Sequence, residues 1–244
     1  MAEFAHQDLA GSTFEDVTLA GSRFRNVDLS RVVVRGAWVH DVEIHGEVTN
    51  LRVNGVDVTA YVEAELDRRW PGREKMRPED AKGFREAWEL VEARWAETVA
   101  RARALPEERL HERVDGEWSV IENLRHLVFA TDAWVRRALL GDPRPWHPLD
   151  LPHDEMEDVP GVPRDRAARP SLDEVLALRA DRMATVRGYL ADLTDEALAG
   201  STTPVEEPGY PEPESFPVRR VLGAILNEEW EHRRYVETIL DALS

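Results

Sequence analysis

The sequence predicts a mainly α protein, a four-helix bundle placed behind a short N-terminal segment of a different periodicity. Three observations predict it. Four stretches of about twenty residues place apolar side chains three and four apart, the helical spacing. Two of them open on a Ser followed three residues later by Glu, which is a capping-box signature. The first fifty residues repeat every five, a period that matches neither helix nor strand.

That repeat comes first in the chain. Phe4, Leu9, Phe14, Leu19, Phe24 and Leu29 stand five apart, and Val34, Val39 and Ile44 continue the series. The residues two places earlier, among them Ala2, Ser12, Val17, Ser22 and Val27, are mostly small or β-branched. The pattern resembles the pentapeptide-repeat family. The resemblance implies a right-handed β-helix segment whose central Leu or Phe side chains stack inward, four five-residue sides to a coil. Such a segment would occupy residues 1–50 and make about two coils. In that family, long acidic rods imitate DNA, but this stretch is too short and its acids form no continuous ladder. A packing or assembly module is the plainer expectation, and an exposed end offers a route to a homodimer.

Residues 51–77 form a linker, in which 58–69 (VTAYVEAELDRR) should make a short helix stopped at Trp70-Pro71. The bundle is expected over 78–244. Its first helix should run from about Asp80 to Arg103, because Phe84, Trp88, Val91, Trp95, Thr98 and Ala102 share one face. The second follows Trp118 with Ser119 and Glu122 as its capping box, and ends before Gly141-Asp142-Pro143. The third starts at Pro170-Ser171 with Glu174 and reaches about Leu193; the fourth spans Val218 to Leu240.

Composition narrows the chemistry. The 244 residues carry 48 acidic and 31 basic side chains, a formal charge of −17, and no cysteine. A missing Cys excludes disulfides, thiolate metal sites and a cysteine nucleophile, so any metal must rest on His, Asp or Glu. The acidity argues against a nucleic-acid partner. With no long apolar run and no basic, apolar N-terminus, neither a membrane partner nor a signal peptide is expected, and the localisation expected is cytoplasmic. Lys75 and Lys82 are the only lysines, a bias that hints at a GC-rich bacterial genome. The charge is uneven. Residues 149–174 hold 8 acids and 3 bases, and residues 192–216 hold 7 acids and no base. Both are Pro-rich connections long enough to serve as lids, or else simple solvated linkers.

Polar residues on apolar faces are the candidates for function. On the last helix Val221, Ile225, Tyr235, Val236 and Ile239 define a stripe with Glu228 and His232 at its centre, one turn apart. Asn227, Trp230, Glu231 and Arg234 fall on the far side, and Glu229 falls at the edge. A buried carboxylate is costly unless paired or bound to a cation. A Glu and a His at i and i+4 can share one metal, or form a buried hydrogen-bonded pair. His126 borders the apolar stripe of the second helix and is the candidate third ligand, or a bordering helix histidine. Arg179 and Arg182 fall on the stripe of the third helix with Val175, Val186, Leu190 and Leu193. They could hold an anionic substrate near the metal, or pack their stems while the guanidinium groups snorkel or pair with Glu228. His147, His153 and Asp154 lie in the loop after the second helix and are candidate lid residues, or surface groups. Trp118, Trp134 and Trp230 are expected to be packing residues.

The string Glu117-Trp118-Ser119-Val120-Ile121-Glu122-Asn123-Leu124-Arg125-His126-Leu127 is similar to the WS…HL signature that opens the second helix of DinB-like proteins. The string Glu228-Glu229-Trp230-Glu231-His232-Arg233-Arg234-Tyr235 resembles their last-helix metal motif. Most of that superfamily has His-x-x-x-His there; the Glu-x-x-x-His form resembles the branch that contains mycothiol-dependent maleylpyruvate isomerase. The resemblance covers about residues 78–244. It implies a DinB-like four-helix bundle and a divalent metal, usually zinc or nickel, on His126, Glu228 and His232 with one open position. It also implies a small-molecule thiol such as mycothiol as cosubstrate, with a small-molecule electrophile as substrate. The expected function is therefore a metal-dependent thiol transferase, isomerase or hydrolase. The alternative is a non-catalytic metal-binding or interaction protein that uses the repeat segment for assembly.

Overall fold

A computed structural model describes residues 3–25, 27–46, 48–154 and 156–244. The chain divides into two compact units, Met1–Val48 and Thr49–Ser244.

In the first unit the five-residue period is written into the backbone. Positive φ angles recur at His6, Gly11, Asp16, Gly21, Arg31, Gly36, Asp41 and Gly46, and turns close at Ser12 N–H to Leu9 O, Ser22 to Leu19 and Val32 to Leu29. The expected inward stacking is absent. Every described residue from 3 to 46 is exposed, Phe4, Leu9 and Phe14 included, and no strand forms among them. The expected right-handed β-helix is not found among the described residues; a repeat this short has no inner coil with neighbours on both sides to cover its apolar side chains. Ala2 of the repeat lies outside the described residues.

The second unit opens with a hairpin, β1 (Arg52–Val53) and β2 (Val56–Asp57), in a stretch expected to be linker. Asn54 and Gly55 both take positive φ, as a two-residue hairpin turn requires. Helix α1 (Thr59–Arg69) follows. Arg73 and Arg77 then clamp it through Glu63 and Asp67.

Four long helices make the bundle: α2 (Ala81–Ala102), α3 (Val120–Thr131), α4 (Leu172–Asp192) and α6 (Val218–Leu243), with a one-turn α5 (Asp195–Leu198) between the last two. Their starts lie where the caps predict. Asp80 accepts the Gly83 N–H, and Ser119–Glu122 and Ser171–Glu174 both close as reciprocal capping boxes. Helices α3 and α2 each pack against both α6 and α4, around a core that includes Phe84, Trp88, Trp95, Leu124, Val175 and Ile225.

Two features depart from expectation. Helix α3 does not stop or continue as a regular helix but widens into a π-helical segment, Asp132–Leu139. Helix α6 has a broader buried surface than its stripe suggested, because α2, α3 and the 3-10 turn Arg73–Met76 all contact it. Trp230, placed on the far side, is therefore buried beside Gly72, whereas Tyr235, placed in the stripe, is half exposed.

The two acidic connections are pinned rather than loose. Buried Arg125 on α3 donates to the carbonyls of Leu149 (2.8 Å), Asp165 (2.6 Å) and Ala168 (3.2 Å). Buried Arg137 in the π segment donates to Pro143, Val205, Glu207 and Pro211 carbonyls. No helix among the described residues is long and apolar enough to cross a membrane.

Candidate metal centre

Helix α3 presents His126, and α6 presents Glu228 and His232 one turn apart. Because α3 packs on α6, the three side chains meet. His126 Nε2 lies 3.4 Å from Glu228 Oε2, and His232 Nε2 lies 3.3 Å from the same oxygen. One ligand atom from each residue fits within a 4.8 Å set. His126 is buried, and the other two are partly buried.

The remaining hydrogen bonds define which atoms face inward. His126 Nδ1 is 2.9 Å from the Leu151 carbonyl oxygen. A carbonyl only accepts, so this nitrogen carries the proton. His232 Nδ1 is 2.7 Å from Asn123 Oδ1. The Asn123 amide nitrogen is committed to the carbonyls of Trp118 (3.1 Å) and Ser119 (2.9 Å), which fixes its oxygen toward the imidazole. With each Nδ1–H committed, the Nε2 atom of each ring is the one that faces the Glu228 carboxylate. Burial pushes the Glu228 carboxyl up, but hydrogen bonds from the two imidazoles and their positive charge when protonated overcome it and hold it well below the usual carboxylate range. Burial drives His232 the other way, toward the neutral form. Two imidazole nitrogens and a buried carboxylate oxygen at 3.3–3.4 Å are held together either by ring protons or by a cation they share. This donor set, two imidazoles and one carboxylate with an Nδ1–H bond behind each ring, suits a divalent metal.

Aromatic rings surround the triad. Trp118 lies 4.9 Å from the His126 ring and 6.1 Å from His232; Phe129 lies 5.9 Å from His126, and Tyr235 stands edge-on to His232 at 5.6 Å. Trp118 is therefore a wall of the site as well as a packing residue. Its indole N–H donates to Asp154 (3.3 Å), which also pairs with Arg166. Tyr210 stacks on Phe129 at 5.8 Å, and its phenol is pushed up by burial and by the charge of Glu228.

The other candidates are distributed as follows. Arg179 is spent on Glu229 in a two-pronged buried pair at 2.8 and 2.7 Å. Arg182 grips Asp132 in the same way at 3.0 and 2.7 Å. Neither fork is free for an anionic substrate, since each arginine on a buried face needs a carboxylate to offset its desolvation. His147 folds into its own loop, where its Nδ1 accepts the Leu149 N–H. His153 stands edge-on to Tyr210 at 5.9 Å. Asn123 and the Leu151 carbonyl escaped sequence reasoning. Asn123 lies four residues after Ser119 and three before His126, a spacing that carried a usable signal; a backbone carbonyl carries none.

A profile of the DinB superfamily matches residues 90–236 of the chain, more than half its length. The chain belongs to the DinB superfamily. Neither a curated protein nor a solved structure matches it.

Proposed function

We propose that this chain is a divalent-metal enzyme acting on a small-molecule substrate, with a low-molecular-weight thiol of the mycothiol type as cosubstrate. The reaction class is a thiol transfer, isomerisation or hydrolysis. The observation that carries the reading is the convergence of His126 Nε2, His232 Nε2 and Glu228 Oε2 with both Nδ1 atoms already committed. Three protein ligands leave a position open, which is the pattern of catalytic rather than structural sites. Zinc or nickel bound there supplies a Lewis acid that lowers the pKa of a bound water or thiol. Glu228 and the two histidines would hold it. Leu151 and Asn123 would fix the ring orientations, and Trp118, Phe129 and Tyr235 would restrict water and offer flat apolar contact to a substrate. With no cysteine in the chain, the thiol must arrive as a small molecule.

Metal analysis of the purified protein is the first test. Near-stoichiometric zinc or nickel is expected, and it should be lost in His126→Ala, Glu228→Ala and His232→Ala. A metal-free native protein refutes the reading. Titration of the cobalt-substituted protein with mycothiol should change its visible spectrum; an unchanged spectrum at millimolar thiol removes the cosubstrate. A second reading, a metal-binding assembly protein, is favoured by the exposed apolar residues Phe4, Phe14 and Phe24 of the first unit. It predicts a dimer that dissociates when those residues become Ser.

A further inference from the structure

Behind the triad lies a second cluster of buried charge, built around Asp150 in the loop after the π segment. Asp150 is completely buried. Its Oδ2 accepts the His147 N–H at 3.1 Å, and its Oδ1 has no donor to accept from. Asp132 of the π segment, also fully buried, faces it with both oxygens held by Arg182 of α4. The charged and titratable neighbours are Arg182 and Asp181 on α4, Arg136 beside Asp132, Arg125 on α3, and His147 in the same loop. Arg182 and Arg136 both pair with Asp132, and among the described residues no ion pair reaches Asp150. The unsatisfied Asp150 oxygen is relieved by carrying a proton, which it can donate to Asp132. Burial and the adjacent Asp132 charge push the Asp150 carboxyl up to about 8.

The neighbours of Asp150 in the chain connect this cluster to the triad. The Leu149 carbonyl accepts from Arg125, and the Leu151 carbonyl accepts from His126 Nδ1. We propose that Asp150 is a positioning residue: as a neutral acid bonded to Asp132 it latches the 147–154 segment to the bundle, and so holds the Leu151 carbonyl that orients His126. The inference rests on the metal reading only for its consequence, since the latch exists in the chain by itself.

The sign follows from linkage. When the segment opens, Asp150 meets water and regains an ordinary carboxylate pKa. Opening therefore becomes about tenfold more favourable per pH unit from about 4 up to about 8, and levels off above that. Hydrogen exchange over residues 147–154, corrected for intrinsic rates, should show the opening constant rising about 50-fold from pH 6 to pH 8 and then flattening. Asp150→Asn, which keeps a donor for Asp132 and an acceptor for His147, should remove that rise. Zinc competition with a chromophoric chelator reads the consequence. The ratio of wild-type to Asp150→Asn affinity should fall about tenfold between pH 6 and 8.5, a typical effect of a group behind a ligand. Asp150→Leu, which lacks the hydrogen bonds, should bind zinc more weakly than Asp150→Asn at pH 6. Identical exchange profiles for wild type and Asp150→Asn overturn the latch. A latch confirmed by exchange with a flat zinc ratio overturns its role at His126. Failure of both proteins to bind zinc refutes the metal reading, and exchange alone then decides the latch.

Discussion

At the scale of single residues, the centre depends on Asn123 as much as on a ligand. Its amide is locked by two backbone carbonyls at the start of α3, and its oxygen dictates which nitrogen of His232 carries the proton. Asn123→Leu should lower zinc affinity about 10- to 100-fold while the protein stays folded, measurable by chelator competition and circular dichroism. Glu228 and His232 were legible as a candidate pair in the sequence, because a Glu and a His on a helix's apolar face need a compensating cation or partner, whereas His126 only bordered its stripe and entered through the resemblance. The arginines were half legible. Their position on an apolar face announced burial, but whether substrate or protein supplies the carboxylate depends on α6 and the π segment, far away in sequence. Glu229, one residue from Glu228, shows the same ambiguity. Helix phase alone could not separate a ligand from an ion-pair partner 100° around the same turn.

At the scale of helices, the Arg179–Glu229 pair joins α4 to α6 through the interior, with both side chains almost wholly buried. Glu229→Gln leaves a buried guanidinium without its counter-charge, and should destabilise the protein by about 3–5 kcal/mol in urea unfolding. Replacing both, Arg179→Met with Glu229→Leu, should recover most of that loss. The starts of α3 and α4 were legible because their caps are local: Ser119 and Ser171 each bond within three residues, whereas α2 and α6 were read from apolar spacing. The π segment was not. Its i to i+5 bonds, such as Leu140 N–H to Val135 O, arise from seating Asp132 and Arg137 in the interior, which is a tertiary demand. Tyr235 and Trp230 were misplaced for a related reason. A helix packed on two sides has no single stripe.

At the scale of the whole molecule, the described core of the second unit runs from Met76 to Leu243. A chain starting at Thr49 should unfold at the same urea concentration as the full chain and bind metal equally, and it should be more soluble, because the exposed apolar side chains of residues 4–44 are gone. A drop in midpoint would show that the units share stability. The acidic excess is concentrated over the connections that Arg125 and Arg137 tie to α3, so its repulsion acts on segments already tethered.

Those two arginines grip carbonyl oxygens, and a carbonyl is the same whatever side chain follows it. The tethers therefore fix the path of each connection and are indifferent to its spelling. Gly209 and Asp150 are exceptions: a Cβ at Gly209 would come within 2.7 Å of the Arg137 guanidinium carbon, and the Asp150 side chain is the proposed latch of its segment. Residues around the rim can thus be exchanged without loosening what supports the centre. In such a scaffold the connections can be rewritten while the helices beneath them stay as they are.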